Sequence, residues 1–174
     1  MNINNYKHLT GQTLPKLISE GLKLHGTLEL KGEKNNPIIL SWAKECGLEK
    51  VYGSDSIPWC GLFTAVVVKR TGRDPVKSPL WARSWAKWGE ESKSASLGDI
   101  LVFSRGSGGH VGFYIAEDKD CYHVLGGNQG DAVTITRIRK DRCIAVRKPV
   151  YRSRPASAKP YHVQATGIIS TDEA

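Results

Sequence analysis

Apolar positions in the first half of the chain recur at helical spacing. Leu14, Leu17, Ile18 and Leu22 lie about one turn apart, the rhythm of a helix with one buried face. Thr13 can cap this helix, Pro15 suits its first turn, and Gly26 can end it. Residues 26–32 read as a loop with room for a short extended piece. Asn36-Pro37 places a good N-cap before a proline at the first helical position. The helix it opens carries Ile38, Trp42 and Cys46 on one face and stops at Gly47. Residues 48–57 form a loop containing Tyr52. A third helix is predicted from about Pro58 to Thr71, ended by Gly72. Its Val66-Val67-Val68 run also suits a strand, but the whole segment exceeds the usual strand length. Ser78-Pro79 repeats the cap-and-proline start. Trp81, Trp85 and Trp88 then recur at helical spacing as far as Gly89, which predicts a core or interface helix face rather than a dedicated aromatic box.

After Gly98 the period changes. Ile100-Leu101-Val102-Phe103 is a compact apolar strand, residues 104–109 are a Gly/Ser-rich turn, and residues 110–116 alternate like a half-buried strand. A charged turn at 117–120 leads to strands at about 121–125, 132–138 and 143–147. Helices first and a mainly antiparallel sheet afterwards make an α+β domain with the helices packed on the sheet. The domain spans residues 13–150. A polar arm, 1–12, which reads as loose, precedes it. Residues 151–174 are predicted to be a flexible polar tail, although Ile168 and Ile169 would allow it to dock back.

A length of 174 residues allows one proper core. No apolar run approaches the ~20 residues that span a bilayer, and the polar start Met1-Asn2-Ile3-Asn4-Asn5 lacks a signal-peptide core. The net charge of +8 is spread along the chain without a long block. It is compatible with a solvated surface or with a polyanionic partner such as a cell-envelope polymer. No nucleic-acid-binding motif accompanies the charge, so a nucleic-acid partner is not expected. Cys46, Cys60, Cys121 and Cys143 form no C-x-x-C pair. Cys121 and His123 make only an isolated C-x-H, so neither a metal site nor a cofactor is expected, and the thiols are expected to be free.

The candidate chemistry centres on Cys60. A cysteine in the first turn of a helix sits beside backbone N–H groups that lack intrahelical partners, and these favour a thiolate. The same position is also one where buried, inert cysteines are found. A catalytic thiol needs a base and an orienting group. His8 and His162 fall in the arms, His25 lies near a helix end, and His123 lies within a strand. His110 opens a strand directly after Gly108-Gly109, where a substrate can approach the backbone. Asn128, flanked by Gly126-Gly127 and Gly130, is either a turn residue or the amide that orients the histidine. Tyr52, Asp55 and Trp59 precede or adjoin the thiol and are candidates for lining the cleft. Asp55 is equally a helix cap, the role its position favours.

The segments Pro58-Trp59-Cys60-Gly61-Leu62-Phe63, Gly98 to Phe103, Gly109-His110-Val111-Gly112-Phe113-Tyr114 and Leu125 to Gly130 resemble the successive motifs of the NlpC/P60 and CHAP cysteine peptidases. They are most similar to a subgroup common in bacteriophages and prophages, as are Gly26-Thr27-Leu28-Glu29 and Asn35-Asn36-Pro37. The resemblance covers residues 13 to 149. It implies a papain-like fold and cleavage of peptidoglycan amide bonds, with Cys60 as nucleophile, His110 as base and Asn128 as third member. Many CHAP domains carry an acidic residue near the position of Gly126; glycine here leaves orientation to Asn128, with Gln129 as its rival. The reaction implied is endopeptidase cleavage of the stem peptide. N-acetylmuramoyl-L-alanine amidase activity and a non-catalytic wall-binding or virion-structural module are the alternatives. A monomer is expected, made in the host cytoplasm and delivered to the wall through a holin-like pore or in a virion.

Overall fold

The computed structural model describes residues 3–32, 34–165 and 167–171. Three helices come first: α1 (Lys16–Lys23), α2 (Pro37–Cys46) and α3 (Cys60–Arg70). Six strands follow: β1 (Glu90–Glu91), β2 (Ile100–Arg105), β3 (Gly108–Glu117), β4 (Cys121–Gly126), β5 (Thr134–Arg139) and β6 (Cys143–Lys148). They form one antiparallel sheet in the order β1-β6-β2-β3-β4-β5. The α+β class and the helices-then-sheet order are as the periodicity predicts.

Local chemistry accounts for the helix ends. Asn36 Oδ1 accepts the Ile38 N–H at 2.8 Å, and Gly47 closes α2 with φ of 72°, a left-handed conformation that glycine adopts without a Cβ penalty. The first helix departs from expectation at its start, since Pro15 and not Thr13 takes the N-cap position, with no side-chain cap. The third begins at Cys60, two residues after Pro58.

α3 is buried from Cys60 to Val68. It packs against α1 and α2 and lies on β3, so it has no solvent-facing stripe, and its sequence is apolar all round. That is why the valine run fits a helix as well as a strand. Phe63 meets Phe113 of β3 edge-on, with ring centroids 5.9 Å apart. The central helix is thereby fixed against the strand that carries His110.

Three expectations are corrected. The tryptophan segment is not an α-helix: residues Ala82–Lys87 form a 3₁₀ helix. With three residues per turn, positions spaced for 3.6 no longer share a face. Trp85 and Trp88 are buried, whereas Trp81 is 73 % exposed. The arm is not loose. Tyr6 is buried and donates its hydroxyl to His123 Nδ1 at 2.7 Å, and His8 stacks on Tyr161 at 4.0 Å. The tail also returns to the domain. Glu117 bridges His162, Arg137 bridges Ile169, and Arg137 Nη1 donates to the Gly167 carbonyl at 2.8 Å. Arm and tail therefore cover the sheet at positions that the core of the domain leaves unpaired.

Candidate active site

Cys60 is the first residue of α3, and Phe63 is the first to return a helical N–H, to the Trp59 carbonyl at 2.9 Å. The N–H groups of Cys60, Gly61 and Leu62 therefore have no partner within the helix. The Cys60 sulfur lies against the backbone N–H of Val111, the residue after His110, and against the N–H groups of Gly61 and Cys60 itself. Thiol and imidazole thus come from adjoining points of α3 and β3. Cys60 is 4 % exposed. Burial pushes its thiol pKa up, against the opposing pull of those N–H groups and of the Arg105 guanidinium. Burial thus favours the thiol, and the surrounding donors favour its thiolate.

His110 is fully buried on β3, opposite Phe103 of β2. Its Nε2 is 3.0 Å from Gln129 Oε1. The identity of that amide oxygen is set by two backbone carbonyls, because Gln129 Nε2 donates to Val124 O at 3.2 Å and to Thr134 O at 2.6 Å. An amide whose nitrogen is committed in this way must present its oxygen to the imidazole. His110 then donates from Nε2–H, and its basic nitrogen is Nδ1.

Asn128 does a different task. Its Oδ1 accepts the Trp59 N–H at 3.1 Å, holding the residue that immediately precedes the thiol. The residue sits at φ of 56°, a left-handed conformation that asparagine tolerates better than most side chains. The expectation that Asn128 orients His110 is therefore corrected: its oxygen anchors the start of α3, and the neighbouring amide reaches the histidine. The reason is direction along the turn. Asn128 points toward α3, and Gln129, one residue on and one methylene longer, turns back to Val124 of β4, Thr134 of β5 and His110 of β3.

Gly126 explains why the longer side chain is needed. A Cβ at this position would lie 2.7 Å from Gln129 Oε1 and 3.1 Å from His110 Nε2. Gln129 thus fills from downstream the space that a side chain at position 126 would enter. At Gly127 a Cβ would press on Phe63 and Trp59. The glycine pair lets the β4–β5 turn approach α3 at Gly127 and His110 at Gly126. The departure at Gly126 was the one sequence signal for Gln129.

The cleft-lining candidates are all buried and hydrogen-bonded within the chain. Tyr52 donates its hydroxyl to Ile57 O at 3.1 Å. Asp55 is 1 % exposed, and its carboxylate accepts the N–H groups of Leu30 and Asn36 at 3.1 and 2.7 Å. It is neither an exposed cleft wall nor a cap on α3; it clamps the loop before α2. Trp59 is fully buried, and its indole N–H donates to Glu29 Oε2 at 2.9 Å. Their hydrogen bonds make them a frame around the start of α3. Arg105, which the sequence pattern does not single out, is the cation that acts on Cys60.

Among the described residues no group of three or more His, Cys, Asp or Glu is arranged to hold a metal, and no helix is long and apolar enough to cross a membrane. A cleft of about 730 Å³, lined by Lys16, Arg73 and Arg152 among others and by no acidic residue, lies apart from Cys60 and His110. No protein-family model matches the chain, and no curated protein matches it.

Proposed function

We propose that the chain is a cysteine peptidoglycan hydrolase, an endopeptidase of the stem peptide, with Cys60 as nucleophile, His110 as base and Gln129 as the orienting amide. The observation that carries this reading is the relay from Val124 O and Thr134 O through Gln129 to His110, next to a thiol at a helix start. Here the amide is itself held in orientation, so the tautomer is specified as well.

In the mechanism, the Cys60 S–H proton passes to His110 Nδ1 and the thiolate attacks the scissile carbonyl carbon. The carbonyl π electrons move to oxygen, where the Cys60 N–H is one available donor. Collapse of the tetrahedral intermediate breaks the C–N bond, and the proton on His110 leaves with the amine. Water, deprotonated by His110, then hydrolyses the thioester and restores the thiol. Gln129 holds the imidazole in place and stabilises its protonated form without adding charge. The cationic cleft and the +8 balance favour an anionic envelope as the setting. An amidase cutting at the lactyl–alanine bond would use the same groups, and delivery to the wall from a phage or prophage context is the corresponding biology.

The test is digestion of purified peptidoglycan by wild type and Cys60→Ala, with the new chain ends identified by mass spectrometry. New stem-peptide termini from wild type alone support the endopeptidase, and free lactyl ends would assign the amidase. Lysis retained at the wild-type rate by folded Cys60→Ala would overturn the assignment. Chelation should leave turnover intact, while a thiol alkylator abolishes it.

A further inference from the structure

Residues 78–83 cross the candidate site. A Cβ on Gly61, next to the thiol, would collide with the Pro79 carbonyl oxygen and lie 2.9 Å from that of Leu80. A Cβ on Gly109, next to the base, would lie 3.0 Å from Arg83 Cγ and 3.5 Å from Ala82 Cβ. The segment therefore rests at one end on the residue after Cys60 and at the other on the residue before His110. Trp81 is between these two contacts.

The segment is rigidly held. Trp81 N–H donates to Ser78 O at 3.1 Å, and its own carbonyl accepts the Ser84 N–H at 2.9 Å. Trp85 donates its indole N–H to Pro79 O at 2.9 Å, and Arg83 ties the segment to the β2–β3 turn through Gly108 O at 2.6 Å and Gly106 O at 3.2 Å. Yet Trp81 is 73 % exposed, while Trp42, Trp59 and Trp85 are at most 1 % exposed and Trp88 is 8 %. An indole offers a large flat apolar surface, and a fixed backbone lowers the entropy lost when a ligand covers it.

We infer that Trp81 is a substrate-binding platform at the rim of the site, stacking against a pyranose ring of the glycan strand that carries the scissile peptide. The inference rests on the peptidoglycan reading. The aliphatic C–H face of a sugar ring matches the indole face, and the peptide attached to that sugar would reach toward the adjoining Cys60 and His110, which the two ends of the segment flank. Trp81 is a positioning residue for the polymer and makes no contact with the reacting bond.

The experiment compares wild type, Trp81→Ala and Trp81→Phe on intact peptidoglycan and on soluble stem peptide freed of glycan. The expected result is a five- to twentyfold rise in KM for Trp81→Ala on the polymer, with kcat within about twofold, unchanged kinetics on the free peptide, and recovery to within about threefold in Trp81→Phe. An unchanged KM on the polymer, or an equal loss on the free peptide, overturns the inference. A separate arm uses Cys60→Ala protein and glycan strands stripped of peptide, read by quenching of intrinsic fluorescence. Quenching that disappears in Cys60→Ala/Trp81→Ala supports the platform, and quenching that persists unchanged overturns it. If wild type leaves peptidoglycan uncut while this binding arm succeeds, the hydrolase reading fails and the saccharide site stands.

Discussion

Replacing Gln129 tests the site at its most specific point. Gln129→Ala removes the acceptor 3.0 Å from His110 Nε2 and the donors to Val124 O and Thr134 O. A hydrogen bond to a charged partner contributes about 1.5–3 kcal/mol. The His110 bond has that character once the imidazole takes the thiol proton, so its loss corresponds to roughly a 10- to 150-fold fall in kcat/KM. The two neutral bonds contribute about 0.5–1.5 kcal/mol each, so the fold should lose about 1–3 kcal/mol and remain assembled. The control is Asn128→Gly, which removes the oxygen that accepts the Trp59 N–H while glycine accepts the φ of 56° without strain. It should weaken the start of α3 and cost less than tenfold in turnover. Gln129→Glu keeps an acceptor for His110 but places a negative charge beside the imidazolium, so the base gives up its proton only at higher pH and the acidic limb of its pH–rate profile should move to higher pH. The assay is turnover of purified peptidoglycan across pH by all three variants, with circular dichroism confirming the fold. If Asn128→Gly is the crippled enzyme and Gln129→Ala is near wild type, the orienting role assigned to Gln129 is wrong.

Other consequences concern the charged groups. Burial raises the Cys60 thiol pKa and Arg105 pulls it back down, so Arg105→Gln should slow alkylation of Cys60 at pH 8; an unchanged rate would remove Arg105 from the site. Asp118 is buried, which alone would raise its pKa, but Arg137, His123 and the N–H groups of Asp120 and Cys121 hold it well below the usual carboxylate range. A carboxylate with a depressed pKa contributes stability above its unfolded pKa of about 4 and loses that contribution as pH falls. Asp118→Asn, which leaves the buried Arg137 uncompensated, should therefore cost about 3–5 kcal/mol at pH 7, with the difference from wild type shrinking below pH 4 in denaturant titrations. Asp99 has the opposite sign: burial raises its carboxyl pKa to about 7, so ionisation disfavours the fold increasingly as pH rises from about 4 to 7. Asp99→Asn should be more stable than wild type at pH 8, by on the order of 1–4 kcal/mol, and the gap should close by pH 4; a constant gap would show that the effect is packing alone.

Local chemistry was legible in the sequence. Asn36-Pro37 and Gly47 bound α2 because cap and stop depend only on neighbouring backbone. The long apolar segment at 60–70 reads as a helix because its length exceeds that of a typical strand, and the alternation after Gly98 is a sheet because the side-chain period is two. Cys60 at a helix start and His110 on a strand are likewise properties of position along the chain. The relation between the β4–β5 turn and the two elements that flank it is not. Asn128 and Gln129 are adjacent amides with equivalent chemistry, and nothing local says which of them turns toward His110. That depends on Val124 O and Thr134 O holding one amide nitrogen, and on the Trp59 N–H claiming the other amide's oxygen. The same limit applies to Tyr52, Asp55 and Trp59, whose nearness to the thiol in sequence suggests a cleft while the packing of α3 buries them. It applies to Trp81 in reverse, because the helix that its spacing predicts begins only at Ala82, and Trp81 precedes it with extended backbone. Periodicity records which side chains must leave water; the partner that each polar group meets there depends on segments far apart in the chain, and only the packed tertiary structure decides it.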